Sequence, residues 1–142
     1  MEGETKALQD LNFSVKPGEF VALVGPSGCG KSTILNLISG LLKPEEGVLL
    51  SYGRPIAENN LHIGYMLQRD HLFEWRTIYS NVLLGLEISH TLTPERKKKV
   101  GKMIETYGLK SFVDARPSEL SGGMRQRAAL IRTLAMEPDL LL

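Results

Sequence analysis

The eight residues from Gly25 to Ser32 constrain the fold of this chain more than any other segment. They read Gly-Pro-Ser-Gly-Cys-Gly-Lys-Ser, with two glycines five positions apart followed by lysine and serine. An unbroken apolar run, residues 20–24, precedes the loop, and apolar residues recur at helical spacing after it, as far as Gly40. The order predicted here is therefore strand, glycine-rich loop and helix, which is the context of a phosphate-binding loop.

Each residue type in this loop suits the binding of a triphosphate. Glycines let successive backbone N–H groups converge on phosphate oxygens, and the N-terminus of the following helix adds a partial positive charge. Lys31 is predicted to bring a full charge to the β- and γ-phosphates, the Ser32 hydroxyl to bind Mg²⁺, and Thr33 to support the α- or β-phosphate. The alternative is a glycine-rich turn with an exposed lysine. The predicted nucleotide-binding residues are Gly25, Pro26, Ser27, Gly28, Cys29, Gly30, Lys31, Ser32 and Thr33.

Composition indicates a globular protein and gives no sign of a nucleic-acid partner. The 42% hydrophobic and 23% charged residues are typical of a globular domain, and a net charge of +1 gives no reason to expect nucleic acid. The dense basic run 96–99 is interpreted as a solvated helix face. Cys29, the single cysteine, fits a reducing cytosolic compartment, and we interpret it as a small filler of the loop rather than a reactive thiolate. Apolar runs are too short to span a bilayer, so a membrane role would go through a partner.

Alternation and turn residues predict short strands on both sides of the loop. Residues 8–15 alternate apolar and polar side chains before a turn at residues 16–19, and the run 20–24 has the pattern of a strand buried on both faces. Two further strands are predicted at residues 48–50 and 61–67, and residues 140–142 look like the opening of another.

The remainder of the chain is predicted to be mainly helical. The helical pattern from residue 78 to 107 is interrupted near residues 91–94, where Thr93 is expected to cap a helix that begins at Pro94 and ends before Gly108. A second glycine loop then leads into a helix over residues 124–136, with an apolar stripe of Ala128, Ile131, Leu134 and Ala135.

That second loop carries the resemblance to a known family. Residues 120–127 read Leu-Ser-Gly-Gly-Met-Arg-Gln-Arg and resemble the signature motif of ABC transporter ATPases. The resemblance implies that Ser121, Gly122 and Gly123 contact ATP bound to the opposite subunit of a head-to-tail dimer. The residues alone leave a second interpretation open, in which Ser121 only caps the helix.

Gln68 supplies a third marker, because it ends an apolar strand between the two glycine loops. It resembles the family's Q-loop glutamine, which implies that it reaches Mg²⁺ and the attacking water. Lys31 and Gln68 are thus the implied catalytic residues, and Ser32 and Gln68 the implied metal ligands. Downstream, Leu72, Phe73 and Trp75 are interpreted as core of a helical lobe, or alternatively as part of a groove that receives a transporter's coupling helix.

The resemblance covers essentially the whole chain and implies a partial α/β P-loop NTPase fold of the ABC ATPase type. A helical subdomain, residues 71–120, is expected between the strands and P-loop core (1–70) and the signature helix with the start of the Walker B strand (121–142). The family pattern is incomplete at both ends, so we expect a truncated domain without the Walker B Asp and Glu, with weak hydrolysis on its own.

The implied function is that of an ATP- and Mg²⁺-dependent ATPase subunit of an ABC transporter, peripheral to the cytoplasmic face of the membrane. Residues 68–81 are similar to ATPases of nitrate, sulfonate, taurine and bicarbonate importers, which implies import of a small anionic or sulfonate-like solute. The implied partners are a second ATPase subunit, transmembrane permease subunits and, indirectly, a solute-binding protein. A hydrolysis-deficient nucleotide-binding module and a P-loop kinase remain as alternatives.

Overall fold

A computed structural model describes residues 8–142 of the chain. The chain divides into two compact units, Met1–Asn60 and Leu61–Leu142. Residues 1–7, which belong to the predicted N-terminal core, lie outside the described residues. No helix in the described part of the chain is both long and apolar enough to cross a membrane.

Within residues 8–60, the first unit is built around one helix, α1 (Lys31–Ile38), which directly follows the glycine-rich loop. Its last turn ends as predicted at Gly40, which has a φ of +78° and donates its amide to the Leu37 carbonyl over 3.1 Å. The left-handed conformation at this position favours glycine, because glycine has no Cβ to clash with the preceding turn.

A short antiparallel hairpin follows, formed by β1 (Leu50–Ser51) and β2 (Arg54–Pro55). Its two-residue turn has positive φ at both Tyr52 and Gly53, 50° and 76°, which matches the twist of the flanking strands. A 3-10 turn, Ile56–Glu58, closes the hairpin region. The strand predicted at residues 48–50 therefore exists but is displaced, since only Leu50 of that run is paired.

Two predicted strands of the first unit are not formed. The turn between them is present, with the Glu19 amide donating to the Lys16 carbonyl over 3.0 Å. Residues 8–15 and 20–24 have no strand assignment, and Phe20 and Val24 are 94% and 93% exposed. The prediction of a strand buried on both faces is wrong here, because a strand needs a hydrogen-bonded neighbour and apolar layers above and below it. The described residues of this unit provide residues 20–24 with neither a paired strand nor covering apolar layers.

In the second unit, β3 (Ile63–Gly64) pairs in parallel with β4 (Leu140–Leu141). The pairing extends by hydrogen bonds of 2.8 Å from the Met66 amide to the Leu142 carbonyl and from the Leu142 amide to the Gly64 carbonyl. The strand predicted at residues 61–67 is thus shorter than expected, and the strand opening at residue 140 is confirmed.

Three helices make up the rest of this unit: α2 (Ile78–Ile88), α3 (Pro94–Thr106) and α4 (Gly122–Leu134). Two 3-10 turns, Lys110–Phe112 and Pro117–Glu119, connect α3 to α4. Thr93 caps α3 as predicted, since its side chain accepts a hydrogen bond from the Arg96 amide over 3.3 Å.

The helices enclose a common apolar core, which gives this unit its stability. Of the predicted stripe on α4, Ala128, Ile131 and Ala135 are buried there. The buried apolar residues are Leu72, Ile78, Val82, Leu83, Leu86, Val100, Ile104, Leu109, Leu120, Ala128, Ala129, Ile131 and Ala135.

Candidate functional site

The glycine-rich loop before α1 is shaped by residues in the left-handed region. Gly28 and Gly30 have φ values of +81° and +92°, and Gly30 is the N-cap of α1. The Ile34 amide donates to the Gly30 carbonyl over 3.0 Å, which begins the helix directly after the loop. The loop therefore leads straight into a helix N-terminus, where the first backbone N–H groups have no partner within the helix.

Gly25 shows a second reason for a glycine in this loop, which is close approach. A Cβ at this position would lie 2.7 Å from the Cys29 sulfur, closer than real side-chain contacts allow. The Cys29 side chain thus packs against the start of the loop, in agreement with its interpretation as a filler. The thiol is nevertheless exposed to solvent.

Lys31 turns its side chain back over the loop. Its ammonium donates to the carbonyls of Gly25 and Pro26 over 2.8 and 2.6 Å and lies 3.5 Å from the Cys29 sulfur. No acidic residue stands in the first turn of α1. The loop, the helix N-terminus and a cation held at the loop therefore occupy one place, and an anion would bind there favourably.

The second glycine loop also leads into a helix N-terminus. Ser121 is the N-cap of α4, and its hydroxyl oxygen accepts a hydrogen bond from the Met124 amide over 3.3 Å. Gly122 and Gly123 are the exposed first residues of α4. Ser121 therefore caps α4.

Gln68 lies near the start of α4. Its carbonyl accepts a hydrogen bond from the Gln126 side chain over 3.1 Å, and the residue is exposed. An open cavity of about 500 Å³ brings two predicted site residues, Gln68 and Gly122, to one place. Its other lining residues are Arg69, Asp70, His71, Arg125 and Gln126.

A charged network beside this cavity was not predicted from the sequence. The Arg125 guanidinium donates to the Asp70 carboxylate over 3.1 Å, and Arg132 donates to the carbonyl of Asp70 over 2.7 Å. Arg125 and Arg132 stand seven residues apart, two turns of one helix, so their shared face was a signal present in the sequence.

Opposing effects set the pKa of Asp70. Burial alone would raise the pKa of its carboxyl, but hydrogen bonds from the Leu72 amide and the Arg125 guanidinium, with the charges of Arg125 and His71, bring it below the ordinary value. Burial also lowers the pKa of Arg132, which the Asp70 charge partly opposes. The Asp70 carboxyl is therefore ionised near neutral pH.

The three apolar residues that follow the cavity have different environments. Leu72 is buried in the core, whereas Phe73 and Trp75 are 37% and 72% exposed. The two aromatic rings stack with centroids 4.7 Å apart. The core interpretation is thus correct for Leu72 and wrong for Trp75. The Phe73 amide donates to the Asn81 side chain and Arg116 donates to the Trp75 carbonyl, and these two bonds fix the loop at the surface.

Comparison with known proteins gives the family that the sequences of the two glycine loops indicate. The ABC transporter family model matches residues 8–142, and the chain belongs to this ATP-binding family. The chain is 50% identical over 139 residues to the uncharacterized ABC transporter ATP-binding protein YtlC of Bacillus subtilis, and covers 54% of it. It is 42% identical over 142 residues to the taurine import ATP-binding protein TauB of Pelagibacter ubique, again covering 54%.

In both cases at least 98% of this chain is matched, and the chain spans about half the length of these curated relatives. Relatives named for nitrate import, aliphatic sulfonates import and bicarbonate transport are similar as well. The predicted resemblance to this group of ATP-binding proteins is therefore confirmed.

A solved structure supports the same fold. The ATP-binding cassette MJ0796, a dimer in a post-hydrolysis state with ADP and Pi, superposes with a TM-score of 0.80 at 33% identity. The match covers 95% of this chain and 64% of that one. The fold is thus the α/β P-loop NTPase fold of ABC ATPases, as predicted.

Proposed function

We propose that this chain is the ATP-binding part of an ATPase subunit that energises an ABC importer. Family membership and the import names of its relatives support the proposal. The observation that carries it is the Lys31 ammonium, which hydrogen-bonds the carbonyls of Gly25 and Pro26 at the N-terminus of α1. A cation, a glycine loop and a helix N-terminus together favour the binding of a nucleoside triphosphate.

Phosphate binding would replace hydrogen bonds that the Lys31 ammonium now makes within the loop. The Lys31 ammonium now donates to neutral carbonyls, and a phosphate oxygen is a stronger acceptor because it is charged. Lys31 therefore binds the β- and γ-phosphates, while amides from Ser27 to Thr33 surround the phosphate chain. Stabilising the charge that develops on the transferred phosphoryl group is the largest contribution such groups make to hydrolysis.

By its resemblance to the family, the chain would hold Mg²⁺ with Ser32 and Gln68. Ser32 and Gln68 are both exposed and both offer neutral oxygens, the donor type that Mg²⁺ prefers beside phosphate. The ion, when bound, neutralises charge on the β- and γ-phosphates. Gln68 additionally holds the attacking water by hydrogen bonding.

Capping and phosphate binding by Ser121 are compatible. A serine hydroxyl has one proton to donate and two lone pairs that accept. The cap uses a lone pair, since the Met124 amide donates to Ser121 Oγ. The hydroxyl proton is therefore available to a γ-phosphate, and Ser121, Gly122 and Gly123 bind the ATP of the opposite subunit in a head-to-tail homodimer.

Transport follows from coupling this dimer to other subunits. The partners are transmembrane permease subunits at the cytoplasmic face of the membrane, with a solute-binding protein that acts through them. The stacked and exposed Phe73 and Trp75 rings offer an apolar surface for a permease contact. The cargo proposed is a small anionic or sulfonate-like solute, by similarity to relatives named for taurine and aliphatic sulfonates.

Calorimetric titration of ATP with Mg²⁺ tests the nucleotide site. The Lys31→Ala variant is expected to lose at least about tenfold in affinity, roughly 1.4 kcal/mol. Lys43→Ala is the matched control, because Lys43 is exposed in the same unit outside the loop, and its affinity should remain within about twofold. Equal affinities for both variants would contradict the site. ATP binding without turnover in the wild type would favour the hydrolysis-deficient module.

A further inference from the structure

Residues 68–71, here called the anchored segment, contain neither helix nor strand. Arg132 of α4 reaches this segment with both terminal nitrogens of its guanidinium. Nη2 donates to the Asp70 carbonyl over 2.7 Å and Nη1 to the His71 carbonyl over 2.8 Å. His71 has a positive φ of 45°, which turns the chain at this point. One planar side chain therefore holds two successive carbonyls in a fixed orientation.

Two neighbours on α4 hold the same segment from the helix N-terminal side. Arg125 donates to the Asp70 carboxylate over 3.1 Å and to the Leu120 carbonyl over 2.8 Å. Gln126 donates to the Gln68 carbonyl over 3.1 Å. Contacts from three side chains of α4 thus fix both ends of the anchored segment to the helix that begins behind Ser121.

We infer that Arg132 is a positioning residue that fixes the anchored segment to α4, so that Gln68 and the Ser121 loop move as one body. The inference rests on the proposed function for the roles of Gln68 and Ser121. A rigid link would make any displacement of Gln68 displace the second glycine loop as well, because α4 is a continuous helix from Gly122 to Leu134.

Two adjacent amides provide a local readout for this link. The Leu72 amide donates to the Asp70 carboxylate over 3.1 Å, so its protection depends on the Asp70 side chain staying in place. The Phe73 amide donates instead to the Asn81 side chain over 2.7 Å, which is independent of α4. Loss of the Arg132 contacts should expose the first amide and leave the second protected.

The experiment is amide hydrogen exchange by NMR on the full chain with Arg132→Met, Arg132→Lys and Arg127→Met. Arg127 is the matched control, since it is an exposed arginine on the same helix. We expect exchange at Leu72 to accelerate by on the order of tenfold in Arg132→Met, less in Arg132→Lys, and not in Arg127→Met, with Phe73 unchanged. Unaltered exchange at Leu72 in Arg132→Met would overturn the inference. If that variant does not fold, Arg132→Lys decides, because a single ammonium cannot reproduce the planar contact of two guanidinium nitrogens, with faster exchange at Leu72 expected and unchanged exchange overturning the link.

A second arm separates positioning from stability. Turnover of ATP with Mg²⁺ is measured for Arg132→Met, Gln68→Ala and the double variant. Arg132→Met should lower kcat about tenfold, with KM for ATP within about twofold of wild type. In the double variant, kcat should fall little below that of Gln68→Ala alone. Additive losses would show that Arg132 does not act through Gln68. A wild type without turnover counts against the proposed ATPase function alone, and exchange at Leu72 then decides the inference.

Discussion

Asn81, which has no exposed surface, binds the backbone of Phe73 in both directions. Its side-chain oxygen accepts from the Phe73 amide over 2.7 Å, and its nitrogen donates to the Phe73 carbonyl over 3.0 Å. The same nitrogen lies 3.2 and 3.0 Å from the carbonyls of Arg76 and Thr77. A single buried amide thus shapes the loop that carries Trp75 and leads into α2.

Replacing this amide should be costly. Asn81→Ala would remove the acceptor of the Phe73 amide and a side-chain donor to three carbonyls, so the free energy of unfolding should fall by about 3 kcal/mol. Urea denaturation measures the change. Asn59→Ala, which removes a single partly buried contact to Ser51, should cost only about 1 kcal/mol. Equal losses in the two variants would show that the Asn81 side chain contributes no more to stability than a single hydrogen bond does.

Gly64 is predicted to tolerate no side chain. A Cβ there would lie 2.8 Å from Pro138 Cγ and 2.9 Å from Thr133 Cγ2, and the proline ring cannot move aside. Gly64→Ala should lower the free energy of unfolding by about 1–3 kcal/mol. Gly101→Ala is the control, since a Cβ in the middle of α3 meets nothing within 4 Å and should stabilise by about 0.5–1 kcal/mol. Thermal denaturation distinguishes the two signs.

The lowered pKa of Asp70 predicts a dependence of stability on pH. A carboxyl whose pKa is lower in the folded state stabilises above its unfolded pKa, and this contribution is lost as pH falls through the folded value. The stability difference between wild type and Asp70→Asn should therefore shrink as pH falls below about 4. A difference for Asp70→Asn that stays constant from pH 6 to pH 3 would contradict the ion pair with Arg125.

The exposed thiol of Cys29 offers a chemical probe of the phosphate loop. Because its sulfur lies 3.5 Å from the Lys31 ammonium, a bulky maleimide on Cys29 should occupy the place of the phosphates and block ATP binding. Mass spectrometry gives the extent of labelling and calorimetry gives the affinity. ATP added beforehand should slow the labelling. Complete modification with full affinity for ATP would contradict the proposed geometry.

Local patterns predicted the helices well. One or two residues are enough to specify a helix end. The structure confirms this for the start of α3 at Thr93 and Pro94 and for the end of α1 at Gly40. Ser121 was likewise found as a cap because its side chain needs only the next turn of the chain. Such signals succeed because capping is a local interaction.

Interactions between distant residues were not predictable in the same way. The strand expected at residues 20–24 needs neighbours, and an apolar run by itself does not specify them. Contacts of Asp70 with Arg125 and Arg132 join residues more than fifty positions apart, so no local pattern pairs them. Of the two interpretations that the apolar character of Trp75 allows, core or groove, the core interpretation fails because the Asn81 network holds its loop at the surface.

Complementation between two defective chains tests the claim that both glycine loops bind one nucleotide from facing subunits. Gly123→Asp suits the test, because a side chain there meets nothing within 4 Å and an acidic residue stabilises a helix N-terminus, yet its charge repels phosphate. Gly123→Asn is the neutral control. Lys31→Ala disables the other loop.

The measurement is the amount of labelled ATP that remains with the dimer on size-exclusion chromatography. Neither Lys31→Ala nor Gly123→Asp alone should retain ATP in the dimer fraction. Their mixture should retain about a quarter of the wild-type amount, since half of the dimers are mixed and each mixed dimer has one intact site. A mixture that retains no more than the separate variants would contradict the shared site and, with it, the proposed transporter ATPase.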